Sequence, residues 1–395
     1  MSKSPSAAGP LAGLKVVEFA GLGPAPMAAM LLADQGATVL RIERTEAVEL
    51  GMKRALRHDL LQRGREPLAL DLKSAAGRAA AMEIVAQADA LIEGFRPGVM
   101  ERLGLGPEAC LARNPRLVFG RMTGWGQHGP LAQAAGHDVN YIALTGALYG
   151  IGRQGQPPTI PMNLVGDFGG GSLYLAFGLM AALFEAGRSG RGQVVDAGIV
   201  DGALSMLTMQ YGSLAAGLVS TERGSNVGDG GAPFYNVYEC ADGRWVSVAA
   251  VETRFFQELL QRLDIPEADH PDRWDRSRWP QLHERLTACF KTRTRDEWSA
   301  LLEGSDACFA PVLAMNEVAA HPHMAERGAI VEVDGVPQPA PAPRFSRTPA
   351  GPVRAPRTAD RADALATLAS WFGAERFATL LEDGLLDGVH GTRAT

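Results

Sequence analysis

Apolar and polar positions alternate in blocks over the first 126 residues, and these blocks predict strands that alternate with helices. The apolar run at 14–20 predicts a buried strand, 26–37 a helix that ends near Gly36, and 38–43 a second strand. Two strands joined in this way are parallel, with a right-handed crossover. The pattern returns as strand, helix, strand and strand at 67–72, 74–88, 89–95 and 116–126. The sequence therefore predicts an α/β fold with a parallel sheet covered on both faces.

The pattern changes beyond Gly192. Residues 192–218 have a helical period, and the glycine-rich stretch 223–251 predicts a loop followed by a β-hairpin. Helices are predicted within 252–303 and 362–386, on either side of a proline-rich, extended connector at 336–357. We predict four parts: a large Rossmann-like α/β domain (first part, 1–205), a helical linker (206–225), a small α+β domain (226–328), and a return connector with a helical extension that packs on the large domain (329–395).

Composition narrows the functional class. The chain has 395 residues, a net charge of −6 and a pI of about 5.8, which argues against bulk nucleic-acid binding. The four cysteines have no CxxC spacing, so neither a zinc site nor a disulfide framework is indicated. The start lacks the pattern of a secretory signal, and the apolar window 172–184 is too short to span a bilayer. We therefore expect a cytoplasmic protein with no nucleic-acid or membrane partner.

Basic residues cluster in the first half of the chain, at 41–46, 60–73 and 94–104. Such residues usually form a solvated surface. Several of them directly follow predicted strands, and an α/β sheet binds ligands beyond the carboxyl ends of its strands. A polyanionic small molecule is therefore a candidate ligand. The first loop has Gly21 and Gly23 but carries Pro26 where a dinucleotide fingerprint needs a third small residue, so nicotinamide binding is rejected.

Three residues with acid–base chemistry stand in suggestive positions, and each also has a structural interpretation. His137, in "AAGHDVNYIA", suits a helix cap or a core position, and Asp167, in "NLVGDFGGGS", suits an N-cap. Glu252 suits an exposed first turn of a helix. The glycine run 169–171 either permits a tight turn or lets backbone N–H groups approach a developing oxyanion.

Taken together, six segments resemble those of the α-methylacyl-CoA racemases, a branch of the class III CoA-transferase family. The segments are "GHDVNYIAL", "NLVGDFGGGS", "GRGQVVDAGIVDG", "GGAPFYNVYECADGRWVSVAAVE", "SDACFAPVL" and "PAPRFSRT". The resemblance spans about 9–349. It implies the class III CoA-transferase fold, an acyl-CoA substrate, a place in fatty-acid metabolism and an interlocked homodimer. It implies no metal and no separate cofactor, because coenzyme A is part of the substrate.

The resemblance assigns roles by position. His137 and Asp167 match the two catalytic bases, and Glu252 matches the glutamate that holds the histidine ring. The residues that match contacts to CoA and to the thioester are Arg44, Leu70, Asp71, Leu72, Lys73, Gly94, Phe95, Arg96, Arg102, Gly136, Asp138, Val139, Asn140 and Tyr141. Residues 53–67 depart from the family pattern, so it stays open which of Arg63 and Arg65 touches a phosphate.

The activity that this resemblance implies is interconversion of (2R)- and (2S)-2-methylacyl-CoA. One base removes the α-proton and the other returns a proton to the opposite face, through an enolate. Both need a pKa near the operating pH. Backbone N–H groups near Asp138 or at the glycine run are candidate donors to the enolate. The alternative is a CoA-transferase in which Asp167 attacks the thioester and forms an anhydride; His137 favours the racemase, because a transferase needs no general base there. The acyl chain is left open.

Overall fold

The computed structural model describes residues 8–46, 52, 54–266 and 272–391. The chain divides into two units, each with its own core. The first unit consists of Met1–Thr145, Met162–Met206 and Gly328–Thr395, and the second consists of Gly146–Pro161 and Leu207–Arg327.

A seven-stranded sheet forms the centre of the first unit, in the order β12-β3-β2-β1-β4-β5-β6. Its strands are β1 (Lys15–Phe19), β2 (Thr38–Glu43), β3 (Glu66–Leu70), β4 (Ala90–Glu93), β5 (Val118–Thr123), β6 (Val194–Gly198) and β12 (Val389–His390). The first six strands run parallel, and β12 pairs antiparallel with β3 at the edge. The predicted α/β fold is confirmed.

Helices cover both faces of this sheet, because successive residues of each buried strand point to opposite sides. Val17 packs in the core that contains α2, α4 and α14, whereas its neighbour Val16 packs in the core that contains α1 and α7. The helices of the first unit are α1 (Pro24–Asp34), α2 (Ala75–Ala86), α3 (Val99–Arg102), α4 (Pro107–Arg113), α5 (Asp138–Leu144), a π-helix (Leu164–Leu173), α7 (Tyr174–Ser189), α8 (Ile199–Ser205), α14 (Arg361–Phe372) and α15 (Ala374–Glu382).

The strand order reverses at β1, which pairs with β2 on one side and with β4 on the other. At such a switch point the loops after the two central strands diverge and leave a crevice at the carboxyl edge. The loops after β1 and β4 therefore flank the place where this fold binds a ligand.

Two segments differ from the sequence-based prediction. Residues 194–198 were predicted as part of a helical stretch but form strand β6, which pairs with β5 from Phe119↔Val194 to Thr123↔Gly198. Five residues are too few to distinguish the helical period of 3.6 from the strand period of 2. Strand β6 also lies at the edge of the sheet with alternate residues exposed, so it lacks the continuous apolar run of the buried strands. The start of the proline-rich connector is also not free: β11 (Val336–Pro339) pairs antiparallel with β10 (Ile330–Val333).

The second unit is built on a three-stranded antiparallel sheet, in the order β7-β8-β9. The hairpin predicted after the glycine-rich loop is present as β7 and β8, and Phe234, Tyr238, Phe290 and Trp298 lie in the core beneath it. The elements of this unit are α6 (Ala147–Gly150), α9 (Thr208–Ala215), β7 (Tyr235–Glu239), β8 (Trp245–Ala249), α10 (Thr253–Arg262), α11 (Trp279–Phe290), α12 (Arg295–Leu302), β9 (Phe309–Val312) and α13 (Pro322–Glu326).

The π-helix runs directly into α7, and together they make one helix of 26 residues, Leu164–Ser189, with many apolar side chains. By length and composition alone this helix is sufficient to cross a membrane. The apolar window 172–184, predicted to be too short to span a bilayer, is therefore part of a longer helix that begins before the glycine run. The first part of the helix packs against α8, and the outward side chains include Leu173, Phe177 and Phe184.

Candidate active site

The predicted CoA-contacting segments gather at the carboxyl edge of the sheet, because each follows a parallel strand. Arg44 comes directly after β2, residues 71–73 after β3, and residues 94–96 after β4. The cationic side chains Arg44, Lys73, Arg96 and Arg102 are all exposed. In the loop after β3, the Asp71 carboxylate accepts the N–H of Lys73 at 2.9 Å, which fixes the turn. Leu70 is buried as the last residue of β3.

Arg63 and Arg65, between which the sequence left the phosphate contact open, both lie inside the protein. Each is 3% exposed. The Arg63 guanidinium pairs with Asp34 (Nη2 to Oδ2, 2.6 Å), and that of Arg65 pairs with the fully buried Glu18 (Nε to Oε2, 3.0 Å). Since both guanidinium groups are already paired and shielded from solvent, they are not available to a phosphate.

Asp167 is the fourth residue of the π-helix and does not occupy its N-cap. A π-helix is a rare, wide helix with hydrogen bonds from residue i to residue i+5, and it is frequent at functional sites. The Ser172 hydroxyl spans this wide turn, within hydrogen-bond distance of the carbonyls of Asp167 (3.0 Å) and Pro24 (2.8 Å). The interpretation of Asp167 as a helix cap is therefore wrong.

The glycine run serves close helix packing and not a turn. A Cβ atom on Gly170 would lie 2.6 Å from the backbone nitrogen of Ala203 in α8, and one on Gly171 would lie 3.1 Å from Pro24. The π-helix therefore contacts both α8 and the start of α1 through bare backbone. This contact fixes where Asp167 sits relative to the loop after β1.

The Asp167 carboxyl group is half-buried beside that loop. A Cβ atom on Gly23 would lie 3.4 Å from its Oδ2. Burial and, second to it, the charge of Asp138 raise the pKa of Asp167 to about 6, against the lowering effects of a hydrogen bond from Asn163 and of the nearby His137. A carboxyl group with a pKa of about 6 exchanges protons readily near neutral pH, as a general acid or base must.

His137 occupies the N-cap position of α5 in extended backbone conformation, and its side chain is exposed. Its backbone N–H donates to Asn140 Oδ1 at 3.0 Å. The turn that carries it is fixed by Tyr141, whose hydroxyl donates to the Gly136 carbonyl and whose ring packs edge-on against Trp125 with 4.8 Å between centroids. A Cβ atom on Gly136 would lie 2.8 Å from the Tyr141 ring, so glycine is required there.

One hydrogen bond joins the GHD motif (136–138) to the GDFGGG motif (166–171). The backbone N–H of Asp167 donates to Asp138 Oδ1 at 2.6 Å. His137 is adjacent to Asp138 and close enough to influence the pKa of Asp167. The structure therefore places His137 and Asp167, the two predicted bases, in one neighbourhood of the first unit.

The third predicted catalytic residue belongs to the second unit. Glu252 belongs to the second unit, where it is exposed and precedes α10 as its N-cap residue, one position before the first turn. Its carbonyl accepts the N–H of Phe256 at 2.9 Å. Its assignment stays a prediction that rests on the motif.

Tyr141 connects the catalytic motifs with the loop after β4. Burial raises the pKa of Tyr141 and the charge of Asp167 raises it further, whereas the charge of Arg96 lowers it, so both groups lie near the phenol. The fully buried Glu93 fixes that loop: it accepts the N–H of Phe95 at 2.7 Å and pairs with Arg121 at 2.9 Å. The predicted CoA segment 94–96 and the predicted bases thus share one region.

Three residues of this region were not predicted as part of the site: Gly23, Trp125 and Asn163. The sequence carries a signal for Gly23, a glycine in the loop after the first strand, although this loop does not fit the dinucleotide fingerprint. Its positive φ of 65° and its position against Asp167 give it another use. Trp125 and Asn163 carry no such signal, since only the folded chain brings them to Tyr141 and Asp167.

Comparison with known proteins extends these observations to the whole chain. The family model described as "CoA-transferase family III" matches residues 11–361. The chain is 43% identical to the mouse α-methylacyl-CoA racemase over 343 residues, which cover 87% of this chain and 88% of that protein. It is 41% identical to the human α-methylacyl-CoA racemase over 351 residues, which cover 86% and 90%.

A solved structure supports the same conclusion from the fold. The crystal structure of a CaiB/BaiF family protein from Brucella suis superposes with a TM-score of 0.76 at 27% identity, covering 92% of this chain and 100% of that one. The resemblance stated from the six sequence segments is therefore confirmed. The protein belongs to CoA-transferase family III.

Proposed function

We propose that this protein is an α-methylacyl-CoA racemase that interconverts the (2R) and (2S) epimers of 2-methylacyl-CoA thioesters. The observation that carries the proposal is the bond from the Asp167 N–H to Asp138, because it holds a carboxyl group of pKa about 6 beside the His137 turn. The mouse and human relatives bear the name of this activity.

The proposed reaction removes one proton from the α-carbon and adds another proton to it. One of His137 and Asp167 takes the α-proton, and the electron pair of that C–H bond moves into the enolate of the thioester. The other residue, already protonated, delivers its proton to the opposite face and restores the carbonyl. Since one group must begin as base and the other as acid, a carboxyl group of pKa about 6 suits either direction.

The proposed reaction needs donors that stabilise the enolate and a group that orients the imidazole ring of His137. Two sets of backbone N–H groups are predicted donors to the enolate oxygen. Those of the glycine run lie within a helix that packs on α8. The proposed donors are therefore the N–H groups at the start of α5. Glu252 is the proposed hydrogen-bond partner of the imidazole ring, on the strength of its motif. The proposed chemistry uses no metal and no cofactor besides the coenzyme A of the substrate.

We propose that coenzyme A binds along the carboxyl edge of the sheet. Its phosphates are anionic, and the exposed cations Arg44, Lys73, Arg96 and Arg102 follow β2, β3 and β4 at that edge. Gly98 leaves room there, since a Cβ atom on it would lie 3.2 Å from Arg102 Nη1. Cations placed around the switch point suit a nucleotide whose thioester end reaches Tyr141 and the two bases.

We also propose that the protein is an interlocked homodimer that acts in the cytoplasm. Phe177 in α7 is 73% exposed, and Phe184 and Leu173 of the same 26-residue helix are exposed too, so this apolar helix surface favours a covering second copy. The four cysteines are unpaired, which suits a reducing compartment. We expect one dimeric species in sedimentation velocity, and monomer at micromolar concentration would contradict the dimer.

Incubation with (2S)-2-methylacyl-CoA in D2O tests the proposed activity. The product should become a mixture of both epimers, with one deuterium at the α-carbon of each inverted molecule. Mass spectrometry and a chiral separation of the acyl group measure both quantities. The transferase alternative predicts no deuterium and transfer of CoA to an added free carboxylic acid, with an anhydride at Asp167.

A further inference from the structure

The Asp138 side chain is a buried carboxylate whose two oxygens have very different surroundings. The residue is 7% exposed. Its Oδ1 accepts the N–H of Asp167 at 2.6 Å, whereas Oδ2 is buried and accepts no hydrogen bond from any described residue. A carboxylate oxygen without a donor is expensive inside a protein. The hydrogen bond to Asp167 does not require a charged group, because a neutral acceptor could accept the same N–H. The negative charge of Asp138 therefore calls for another explanation.

Asp138 Oδ1 also lies directly against the backbone ahead of Asp167. A Cβ atom on Gly166 would overlap this oxygen, so only glycine allows the approach. The carboxylate thus holds the peptide between Gly166 and Asp167 from one side, and Ser172 holds the Asp167 carbonyl from the other. These contacts restrict the rotation of the wide π-helical turn that presents the Asp167 side chain.

The two carboxyl groups repel each other when both are ionised. Burial is the largest cause of the raised pKa of Asp167, and the charge of Asp138 is the next. Burial also raises the pKa of Asp138, which backbone N–H groups of Asp167 and Gly166 lower. A like charge in a half-buried site disfavours the second ionisation.

The other charged groups in elements packed around the π-helix are engaged elsewhere or lie on the same motif. Arg121 in β5 pairs with Glu93 and Glu101, and Asp196 in β6 accepts the N–H of Gln127. Asp201 in α8 is exposed, and Asp34, at the far end of α1, pairs with Arg63. Among the described residues, His137, the cap of α5, and Tyr141, within α5, are the other titratable groups coupled to the charge of Asp167.

We propose that Asp138 is a positioning residue of the racemase reaction that acts through Asp167, fixing its backbone with Oδ1 and opposing a second negative charge with the carboxylate. This inference rests on the proposed function of Asp167 as an acid and base. Asp138 exchanges no proton with the substrate. Its charge sets the pH at which Asp167 loses its proton and becomes able to act as the base.

Asp138→Asn separates the two effects, because an asparagine Oδ1 accepts the same N–H while the charge is lost. The acid limb of the kcat/KM profile for α-deuterium exchange should move down by about one pH unit, with KM for the thioester unchanged. Asp138→Ala also loses the hydrogen bond and should add a loss in kcat of about tenfold or more that is equal at every pH. Asp138→Ser provides a second uncharged variant.

Asp201→Asn is the matched control. It removes a carboxylate from the first turn of α8, which packs on the same π-helix, and its profile should coincide with that of the wild-type protein. Thermal unfolding of all variants establishes that they are folded. A folded Asp138→Asn or Asp138→Ser variant whose acid limb stays in place, whatever its loss of rate, overturns the proposal. If the wild-type protein exchanges no deuterium and transfers CoA instead, the proposed function fails first, and the inference falls with it.

Discussion

Gly170 in the π-helix and Gly202 in α8 meet backbone to backbone: a Cβ atom on Gly202 would overlap the carbonyl oxygen of Gly170. Through this contact the helix that carries Asp167 packs directly against α8, which fixes the position of Asp167 in the first unit.

Gly202→Ala should therefore push the two helices apart. We expect a loss of about 1 to 3 kcal/mol in unfolding free energy, together with a fall in kcat, because Asp167 moves with its helix. Urea denaturation and initial rates measure the two effects. Gly187→Ala is the control, since that glycine lies within α7 with no atom within 4 Å of its added Cβ, and this variant should be as stable as the wild type or more so. Equal behaviour of the two variants would contradict the proposed packing.

Gly23→Ala tests whether the loop after β1 bears on Asp167. Gly23 has a φ of 65°, and its added methyl would lie 3.4 Å from Asp167 Oδ2. Alanine there should cost about 1 kcal/mol of backbone strain and also shift the pH profile of kcat, because the methyl excludes solvent from the carboxyl group. Gly13→Ala carries the same strain, at a φ of 91°, with nothing near the methyl group. A Gly13 variant that shifts the pH profile as much would show that the contact is irrelevant.

Tyr141→Phe removes the hydroxyl that holds the Gly136 carbonyl while keeping the ring against Trp125. The loss of one hydrogen bond should cost about 1 kcal/mol of stability. We expect a larger relative fall in kcat than in substrate affinity, because the turn it fixes carries His137. Tyr211→Phe, at an exposed tyrosine, is the comparison. A change in KM alone would place Tyr141 in binding and not in positioning the base.

Asp167→Asn should stabilise the protein at neutral pH. The folded pKa is raised to about 6 from an ordinary value of 3.8. The unfolded chain therefore ionises at a lower pH than the folded one, and stability falls as the pH rises from about 4 to 6 and stays low above it. Asparagine removes this cost, which amounts to about 2 to 3 kcal/mol at pH 7. Urea titrations of both proteins at pH 7 and pH 4 measure the gain, which should disappear at the lower pH; a gain independent of pH would contradict the raised pKa.

The sequence predicts the sheet well where the strands are buried on both sides. The strand predicted at 14–20 is β1, Lys15–Phe19, and β2 spans the predicted residues 38–43, because a short, mostly apolar run between turn residues favours a buried strand. Strand β6 is not predicted from the sequence, because its alternate residues are exposed and it runs directly into α8. Local pattern does not separate such an edge strand from a helix start.

The sequence predicts which motifs form the candidate site, but not how their side chains are arranged in space. His137 and Asp167 stood out through residue type and motif, but the π-helix did not, since it arises from tertiary contacts of Gly170, Gly171 and Ser172. For the same reason, sequence could not distinguish the buried Arg63 and Arg65 from the exposed arginines nearby. Whether a guanidinium faces solvent or an internal carboxylate depends on partners distant in the chain, such as Asp34 and Glu18.

Deuterium exchange in variants that lack one base tests the proposed two-base mechanism most directly. The exchange is measured in D2O with each pure epimer of a 2-methylacyl-CoA. His137→Ala and Asp167→Asn should both lose inversion and still bind the thioester. Each should exchange the α-proton of one epimer only, and the two variants should act on opposite epimers, because each retains the base on one face. Exchange of the same epimer by both variants, or full inversion by either, would contradict two bases on opposite faces of the α-carbon.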